Sequence, residues 1–270
     1  MERTYVVTGA ASGIGAATAL YLRERGGRVI ACDLHDADVI ADLATPAGRA
    51  DLVEGVTRLS GGSIDGVVAN AGGGPGQTMV QLNFFGAVAT LEGLRPLLEK
   101  SAAPRAVAVS SIASCSPTNP LLIEACLSMD ESRAVAAMWE FVKKTAPIEE
   151  LTQAQGLQLG LEVYGNAKHA LNCWCRRSAV KPQWAGAGIT LNVVAPGFVD
   201  TPAASFIFTD PERNAAMGRM VPLRGAYPGR PEQMAAVLAW CASAENSLMT
   251  GQVLFVDGGL ECMQRGESVW

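Results

Sequence analysis

The most chemically suggestive pair in this 270-residue sequence is a phenol and an amine four positions apart, Tyr164 and Lys168. On a helix, residues at i and i+4 share a face, so the two side chains would lie one above the other. A phenol with a pKa of about 10 is a poor base at neutral pH. An ammonium beside it favours the phenolate and is expected to bring the Tyr164 pKa toward the working range. Such a group can take the proton of a secondary alcohol as hydride leaves carbon, or return one to a ketone. Ser110-Ser111, at the end of an apolar run, supplies a hydroxyl that could orient the reacting oxygen. Alternation along a strand turns only one of the two toward a given cleft. Singly, each residue has an ordinary reading: Y-x-x-x-K arises by chance, and a serine often ends a strand.

Hydride chemistry needs an acceptor, and the N-terminal region offers a place for one. Thr8-Gly9-Ala10-Ala11-Ser12-Gly13-Ile14-Gly15 follows a short β-like run and opens a helical pattern. Gly9 permits a tight turn, Gly13 lets the backbone approach a pyrophosphate, and Gly15 lets helix pack on strand. The helix N-terminus then presents unpaired N–H groups to the phosphates. Asp33 ends the second strand, 18 residues after Gly15. There a carboxylate accepts from the adenosine ribose hydroxyls and repels a 2′-phosphate. Neither Ala10 nor Leu34 offers a compensating charge, so NAD is expected rather than NADP.

Short strands alternating with helical patterns must position these groups, as in βαβ units. Strands are expected over Thr4–Thr8, Arg28–Cys32, Ile40–Asp42, Gly66–Ala69, Ala106–Ser110, Ile189–Val194 and Gln252–Val256. Helices are expected at Ala16–Arg25, Tyr164–Lys181, 211–219 and 231–243. Apolar runs such as Val67-Val68-Ala69 suit a parallel sheet covered on both faces. The reading is a single α/β domain, a doubly wound seven-stranded parallel sheet. Residues 115–159 break the rhythm. There Ser128-Met129-Asp130 offers a cap for a helix over Glu131–Lys144 whose Ala134, Val135, Met138, Phe141 and Val142 form one apolar face, with Pro147 as its stop. That stretch is either a surface excursion or a helical lid or interface element.

Composition narrows the function classes. A net charge of −5 without a basic run argues against nucleic acid or an anionic membrane as partner. No stretch approaches the roughly 20 apolar residues of a membrane span. The opening Met-Glu-Arg-Thr leads into too short an apolar run for a signal peptide, so a cytoplasmic location is expected. The seven scattered cysteines fit reduced, mostly buried thiols, and with only His35 and His169 no metal site is expected. Cys173 and Cys175 should face different ways, and Trp174 and Trp184 read as core or interface.

Further residues fall in a familiar order. Asn70-Ala71-Gly72 follows the fourth strand, Asn83 lies in the next helix, and Asn192-Val-Val-Ala-Pro-Gly197 and Val256-Asp-Gly-Gly259 close the chain. With the T-G-x-x-x-G-x-G turn, Ser111 and Tyr164-x-x-x-Lys168, the sequence resembles the short-chain dehydrogenase/reductase family over about residues 4–260. The resemblance implies a Rossmann fold and a catalytic set of Asn83, Ser111, Tyr164 and Lys168, with Asn83 anchoring a water in a proton relay and Lys168 also holding the nicotinamide ribose. It implies cofactor contacts at Gly9, Ser12, Gly13, Ile14, Gly15, Asp33, Leu34, Asp42, Leu43, Asn70, Ala71, Gly72, Tyr164, Lys168, Pro196, Gly197, Val199 and Thr201. Residues 203–227 correspond to the family's substrate loop. Phe206, Ile207, Phe208, Met217, Met220 and Val221 make it apolar, which suits a small hydrophobic alcohol or ketone.

Within the family the chain most resembles bacterial 3α-hydroxysteroid dehydrogenase/carbonyl reductases. Asp36-Ala-Asp-Val-Ile-Ala-Asp42-Leu43 and the long Ser111-to-Tyr164 spacing carry that likeness. Another alicyclic or terpene alcohol, and a non-catalytic NAD-binding regulator, are the alternatives. In many members the helix before the catalytic serine strand and the helix carrying the tyrosine form a tetramer interface. The insertion lies beside that surface, so a homo-oligomer is expected, a dimer rather than a tetramer.

Overall fold

The computed structural model describes residues 2–145 and 152–268. Pro147, read above as a helix stop, lies outside them. Seven parallel strands form one sheet in the order β3-β2-β1-β4-β5-β6-β7. They are β1 (Thr4–Thr8), β2 (Arg28–Asp33), β3 (Val39–Ile40), β4 (Gly66–Ala69), β5 (Arg105–Val109), β6 (Thr190–Pro196) and β7 (Val253–Val256). Every residue of β4, β5 and β6 is buried, which is why these strands read as continuous apolar runs rather than alternating ones. Successive side chains serve opposite layers. Val6 and Val67 enter the core beneath one helix layer, while Val7 and Val68 enter the other.

The second layer is α1 (Gly13–Glu24) against α10 (Pro231–Ala242), closed by Leu22, Met234 and Leu238. The first holds α2 (Pro46–Ser60), α4 (Ala87–Leu98) and α7 (Gln153–Ala179) over Leu52, Leu91, Leu94 and Leu171. Short α3 (Thr78–Val80) and a π-helical turn, Gln81–Gly86, lead directly into α4. Trp174 and Trp184 meet edge-on in this core, their rings 6.3 Å apart.

Several boundaries differ from the sequence reading, and two of them bear on the site. The third strand stops at Ile40 rather than reaching Asp42, because Asp42 turns out of the ladder to start α2. Its carbonyl accepts the Thr45 N–H, and Thr45 in turn caps the helix through Gly48 N. Helix α7 begins at Gln153, three turns before Tyr164. A reciprocal Thr152–Gln155 capping box starts it, and Gly156 and Gly160 are carried inside it. A glycine costs a helix only about 1 kcal/mol relative to alanine, so neither ends it.

The insertion therefore comprises α5 (Pro120–Leu127), α6 (Glu131–Thr145) and the first turns of α7. Asp130 caps α6 through Arg133 N at 3.0 Å. The apolar face of α6 docks on its own chain: Ala134 and Met138 are buried with Leu122, Ala125 and Cys126, and Phe141 and Val142 pack beside them. Helices α8 (Ser205–Phe208), α9 (Pro211–Met220) and α11 (Leu260–Arg265) complete the rim above the sheet's carboxyl edge. No helix among the described residues is long and apolar enough to cross a membrane.

Candidate active site

A crevice opens at the carboxyl ends of the strands between β1 and β4, where the strand order reverses, the switch point of a doubly wound sheet. The Gly9–Gly15 turn forms one lip. Gly9 has φ +67°, and a Cβ there would come 2.7 Å from Asn70 Nδ2. A Cβ on Gly15 would come 1.9 Å from the Gly9 carbonyl oxygen, so the turn closes on itself too tightly for a side chain. Thr8 Oγ1 accepts N–H groups from Asn70 and Ala71 at 3.0 and 3.1 Å, fastening the two strand ends together. Ser12 precedes α1 without capping it, which leaves the leading N–H groups of that helix without internal partners.

Asp33 ends β2 with both oxygens engaged: Oδ2 accepts from Ala11 N at 2.8 Å and Oδ1 from Leu34 N at 2.7 Å. Ala41 N donates to Asp33 O, which sets Asp42 and Leu43 next to it. Together with Gly9, Ser12, Gly13, Ile14, Leu34, Asn70, Ala71, Gly72, Pro196, Gly197, Val199 and Thr201, these residues line a cleft of about 890 Å³. Gly15 is not on the wall; it stands behind Gly9 and serves the packing of the turn.

Ser111, Tyr164 and Lys168 reach the same cleft from two elements. Ser111 starts a 3-10 turn, Ile112–Cys115, and its Oγ accepts from Ala113 N at 3.1 Å, leaving the hydroxyl proton to give. Ser110 turns inward instead, donating to the Lys168 carbonyl at 3.4 Å. Gly165 makes the approach possible: a Cβ there would come 2.4 Å from the Ala113 carbonyl oxygen. This glycine lets the serine turn press against α7, and the spacing Tyr164-Gly165 was the available signal for it.

Lys168 is buried, and its Nζ donates to the Val109 carbonyl at 2.8 Å, 5.7 Å from the centroid of the Tyr164 ring. Burial pushes its pKa down to about 7. Burial likewise raises the Tyr164 phenol, and a hydrogen bond with Ser111 opposes that rise. The expectation that Lys168 would lower Tyr164 is thus not met in the protein alone. The amine points at a strand carbonyl and is itself near neutrality.

Asn83 serves the backbone behind the site. It is buried in the π-helical turn, off the cleft wall, with Oδ1 accepting from Gly73 N at 3.0 Å. Its Nδ2 donates to Gly73 O and Met79 O at 2.9 and 2.8 Å. Both amide protons are committed to backbone, so a water could meet Asn83 only at an acceptor oxygen. The side chain clamps Gly73, and a Cβ on the neighbouring Gly72 would come 2.8 Å from Asn83 Oδ1 and 3.3 Å from Lys168 Nζ. His169 faces away from the cleft, its Nδ1 3.1 Å from the Ser114 carbonyl oxygen.

A family model described as short chain dehydrogenase matches residues 3–121, and one described as enoyl-(acyl carrier protein) reductase matches 142–261. A 3-alpha-hydroxysteroid dehydrogenase/carbonyl reductase of Comamonas testosteroni is 33% identical over 96% of this chain and 97% of its own. The chain belongs to the short-chain dehydrogenase/reductase family. Cis-4-hydroxycyclohexanecarboxylate dehydrogenase of Sinomonas cyclohexanicum is 31% identical, with 96% of each chain covered. The crystal structure of the 3-alpha-hydroxysteroid dehydrogenase from Pseudomonas sp. B-0831 complexed with NADH superposes with a TM-score of 0.84, at 36% identity over 98% of this chain and 99% of that one. The Pseudomonas aeruginosa RhlG/NADP active-site complex is more distant, with a TM-score of 0.71, 26% identity and 96% of each chain covered.

As a short-chain dehydrogenase/reductase the protein is an oxidoreductase working with a nicotinamide dinucleotide, and the cleft suits one. It has a side-chain-free turn, free helix N–H groups and a carboxylate at the far strand end. The rest of the wall is largely apolar, with Met79, Leu157, Leu161, Phe206, Ile207, Met217 and Leu260, and Gln158, Glu162, Arg213 and Gln264 as polar members. The residues from α7 were missed by the sequence reading, because the helix was started too late for its first turns to reach the site. Arg213 is not singled out by the sequence reading. Its Nη1 donates to Phe206 O at 2.6 Å, and the Asp210 carboxylate stands 4.0 Å from Nη2.

Proposed function

We propose that the chain interconverts a secondary ring alcohol and its ketone with NAD(H), on a hydroxysteroid-type substrate, using Tyr164 for proton transfer. One observation carries this reading: Ser111 and Tyr164 stand together where the cleft wall changes from backbone and carboxylate to apolar side chains. A rigid hydrophobic alcohol would fill that end and present its oxygen to the two hydroxyls. The bound dinucleotide, held by the Gly9–Gly13 turn, Asp33, Lys168 and the Pro196–Thr201 segment, supplies the hydride acceptor or donor. Ser111, whose oxygen already accepts from Ala113, donates its proton to the substrate oxygen and orients it. Tyr164, kept protonated by burial in the free protein, is ready to give a proton in the reducing direction. Oxidation requires its phenolate, which positive charge near the site would favour. Lys168, with a pKa pushed down to about 7, can exchange a proton at neutral pH, as a relay to Tyr164 requires.

Preference for NAD rests on the Asp33 carboxylate. The cations lining the cleft among the described residues are Lys168 and Arg213, neither beside Asp33 in the chain or the sheet. The relative solved with NADH is also the more similar of the two cofactor complexes. A second reading, a ring alcohol bearing a carboxylate, is favoured by Arg213, whose guanidinium is held at the apolar end with donors to spare. Initial rates of NADH formation decide between them. The panel is a set of 3-hydroxysteroids, terpene alcohols and 4-hydroxycyclohexanecarboxylate, each with NAD and NADP. Turnover of none of these alcohols would sink both readings.

A further inference from the structure

The insertion is fastened to the cofactor end of the cleft through one arginine. Arg49, in the first turn of α2, is largely buried, and its guanidinium serves three segments at once. Its Nε donates to the Leu43 carbonyl at 2.8 Å and Nη2 to the Ala44 carbonyl at 3.2 Å, on the stretch that lines the cleft beside Asp33. Nη2 also donates to Gln81 O at 2.9 Å, in the π-helical turn two residues before Asn83. Nη1 meets Glu131 Oε2 at 2.5 Å, and Glu131 Oε1 accepts from Gln81 Nε2 at 3.0 Å. The Arg49 and Glu131 side chains are 13% and 24% exposed, so the pair is shielded from the solvent that makes surface ion pairs weak.

We infer that Glu131, the first residue of α6, is a positioning residue for cofactor binding: it holds the Arg49 fork in the orientation that fixes Leu43 at the adenosine end of the cleft. The chemistry of the fork supports this. A guanidinium is planar and rigid, so one carboxylate bound at its far edge sets the direction of every other N–H. Without that carboxylate the arginine keeps its carbonyl acceptors, but its charge is left buried and unpaired. It then gains by moving toward water, taking the Leu43–Ala44 carbonyls with it. The inference rests on the reading that Asp42 and Leu43 face the adenosine half of a bound dinucleotide.

Glu131→Gln tests it, because the amide keeps the shape and one acceptor oxygen while removing the charge. The measurements are binding of NADH by fluorescence, competition by AMP and by nicotinamide mononucleotide, and steady-state KM and kcat, all well below the melting temperature. The expected result is a rise of about 3- to 10-fold in the Kd for NADH and for AMP, the size of a moderate coupling between neighbouring sites. Nicotinamide mononucleotide should compete as it does with the unsubstituted protein, and the kinetic loss should fall on the KM for dinucleotide more than on kcat. Met138→Ala is the comparator, since it empties a buried site on the same helix without touching Arg49. It should lower the melting temperature at least as far as Glu131→Gln does and leave AMP affinity within about twofold. If Glu131→Gln lowers the melting temperature but leaves AMP binding unchanged, or if Met138→Ala weakens AMP equally, the pair is a staple and the inference fails. If AMP does not compete with NADH for the unsubstituted protein, the reading of the adenosine end fails with it.

Discussion

The Asp33 carboxylate allows cofactor preference to be worked from charge and distance. A phosphate on the ribose hydroxyl from which Asp33 accepts would bring its charge to about 4 Å from the carboxylate. At an effective dielectric of about 20 that costs about 4 kcal/mol per charge. The side chain is partly exposed, and salt and small shifts of the phosphate weaken the repulsion severalfold. A residue of ~1.4 kcal/mol is a tenfold preference, which we take as the lower bound for NAD over NADP. Asp33→Asn is the informative substitution. It removes the charge but keeps an oxygen to accept the Ala11 N–H, so the glycine turn stays anchored to β2. Catalytic efficiency with NADP should rise, that with NAD should fall, and their ratio should move toward unity by at least about tenfold. The preference of the unsubstituted enzyme should also shrink with added salt. Initial rates with both cofactors at two ionic strengths measure all of this. Comparable efficiencies in the unsubstituted enzyme, or an unchanged ratio in Asp33→Asn, would refute the electrostatic reasoning.

Tyr164→Phe should lower turnover by at least about 10²-fold while NADH binding, followed by fluorescence, stays nearly constant; a variant retaining most activity would mean another base acts. Burial raises the Tyr164 pKa, so the oxidation rate should climb with pH while ketone reduction falls as the phenol loses its proton; pH–rate profiles in both directions check the signs. Lys168 binds its proton less tightly folded than unfolded, so its burial penalty is full below a pH of about 7 and fades as pH rises toward its ordinary value. The melting-temperature gain of Lys168→Met over the cofactor-free parent should therefore be largest near neutrality and shrink on the alkaline side, and calorimetry showing a flat difference would contradict it. Gly15→Ala should abolish dinucleotide binding, since its Cβ would stand 1.9 Å from the Gly9 carbonyl oxygen and force the turn open; titration with NADH tests this. Helix α5 covers part of the α7 surface within one chain and α6 packs on α5, so light scattering should report a dimer, and a tetramer packed through α4 and α7 would show that the insertion is decoration.

The fold was legible because its signals are local. Runs such as Val67-Val68-Ala69 state burial on both faces, and a glycine turn between strand and helix states which end of the sheet is open. Ser111, Tyr164 and Lys168 were legible as a set because each stands at a fixed point of that scaffold, a strand end and two positions on one helix face. The errors arose where tertiary structure outweighed local pattern. Gly156 and Gly160 look like helix breakers, yet the Thr152–Gln155 box and packing against the cleft carry α7 through them, and the wall from Ala154 to Glu162 was missed as a result.

Asn83 shows a different limit. Its residue type and position were readable, but its work depends on how many of its hydrogen-bonding groups are already taken, and that is decided by Gly73 and Met79 folding back on it. The same holds for the tyrosine–lysine pair. Spacing at i+4 promises a shared face and therefore a lowered phenol pKa, but burial acts on both groups and in opposite senses. It holds Tyr164 protonated and drives Lys168 toward neutrality. The free protein therefore keeps the proton on the phenol, while the amine, with its pKa at about 7, exchanges one near neutral pH. Under the proposed Tyr164 mechanism that is the state needed to reduce a ketone, and oxidation must first draw the proton away.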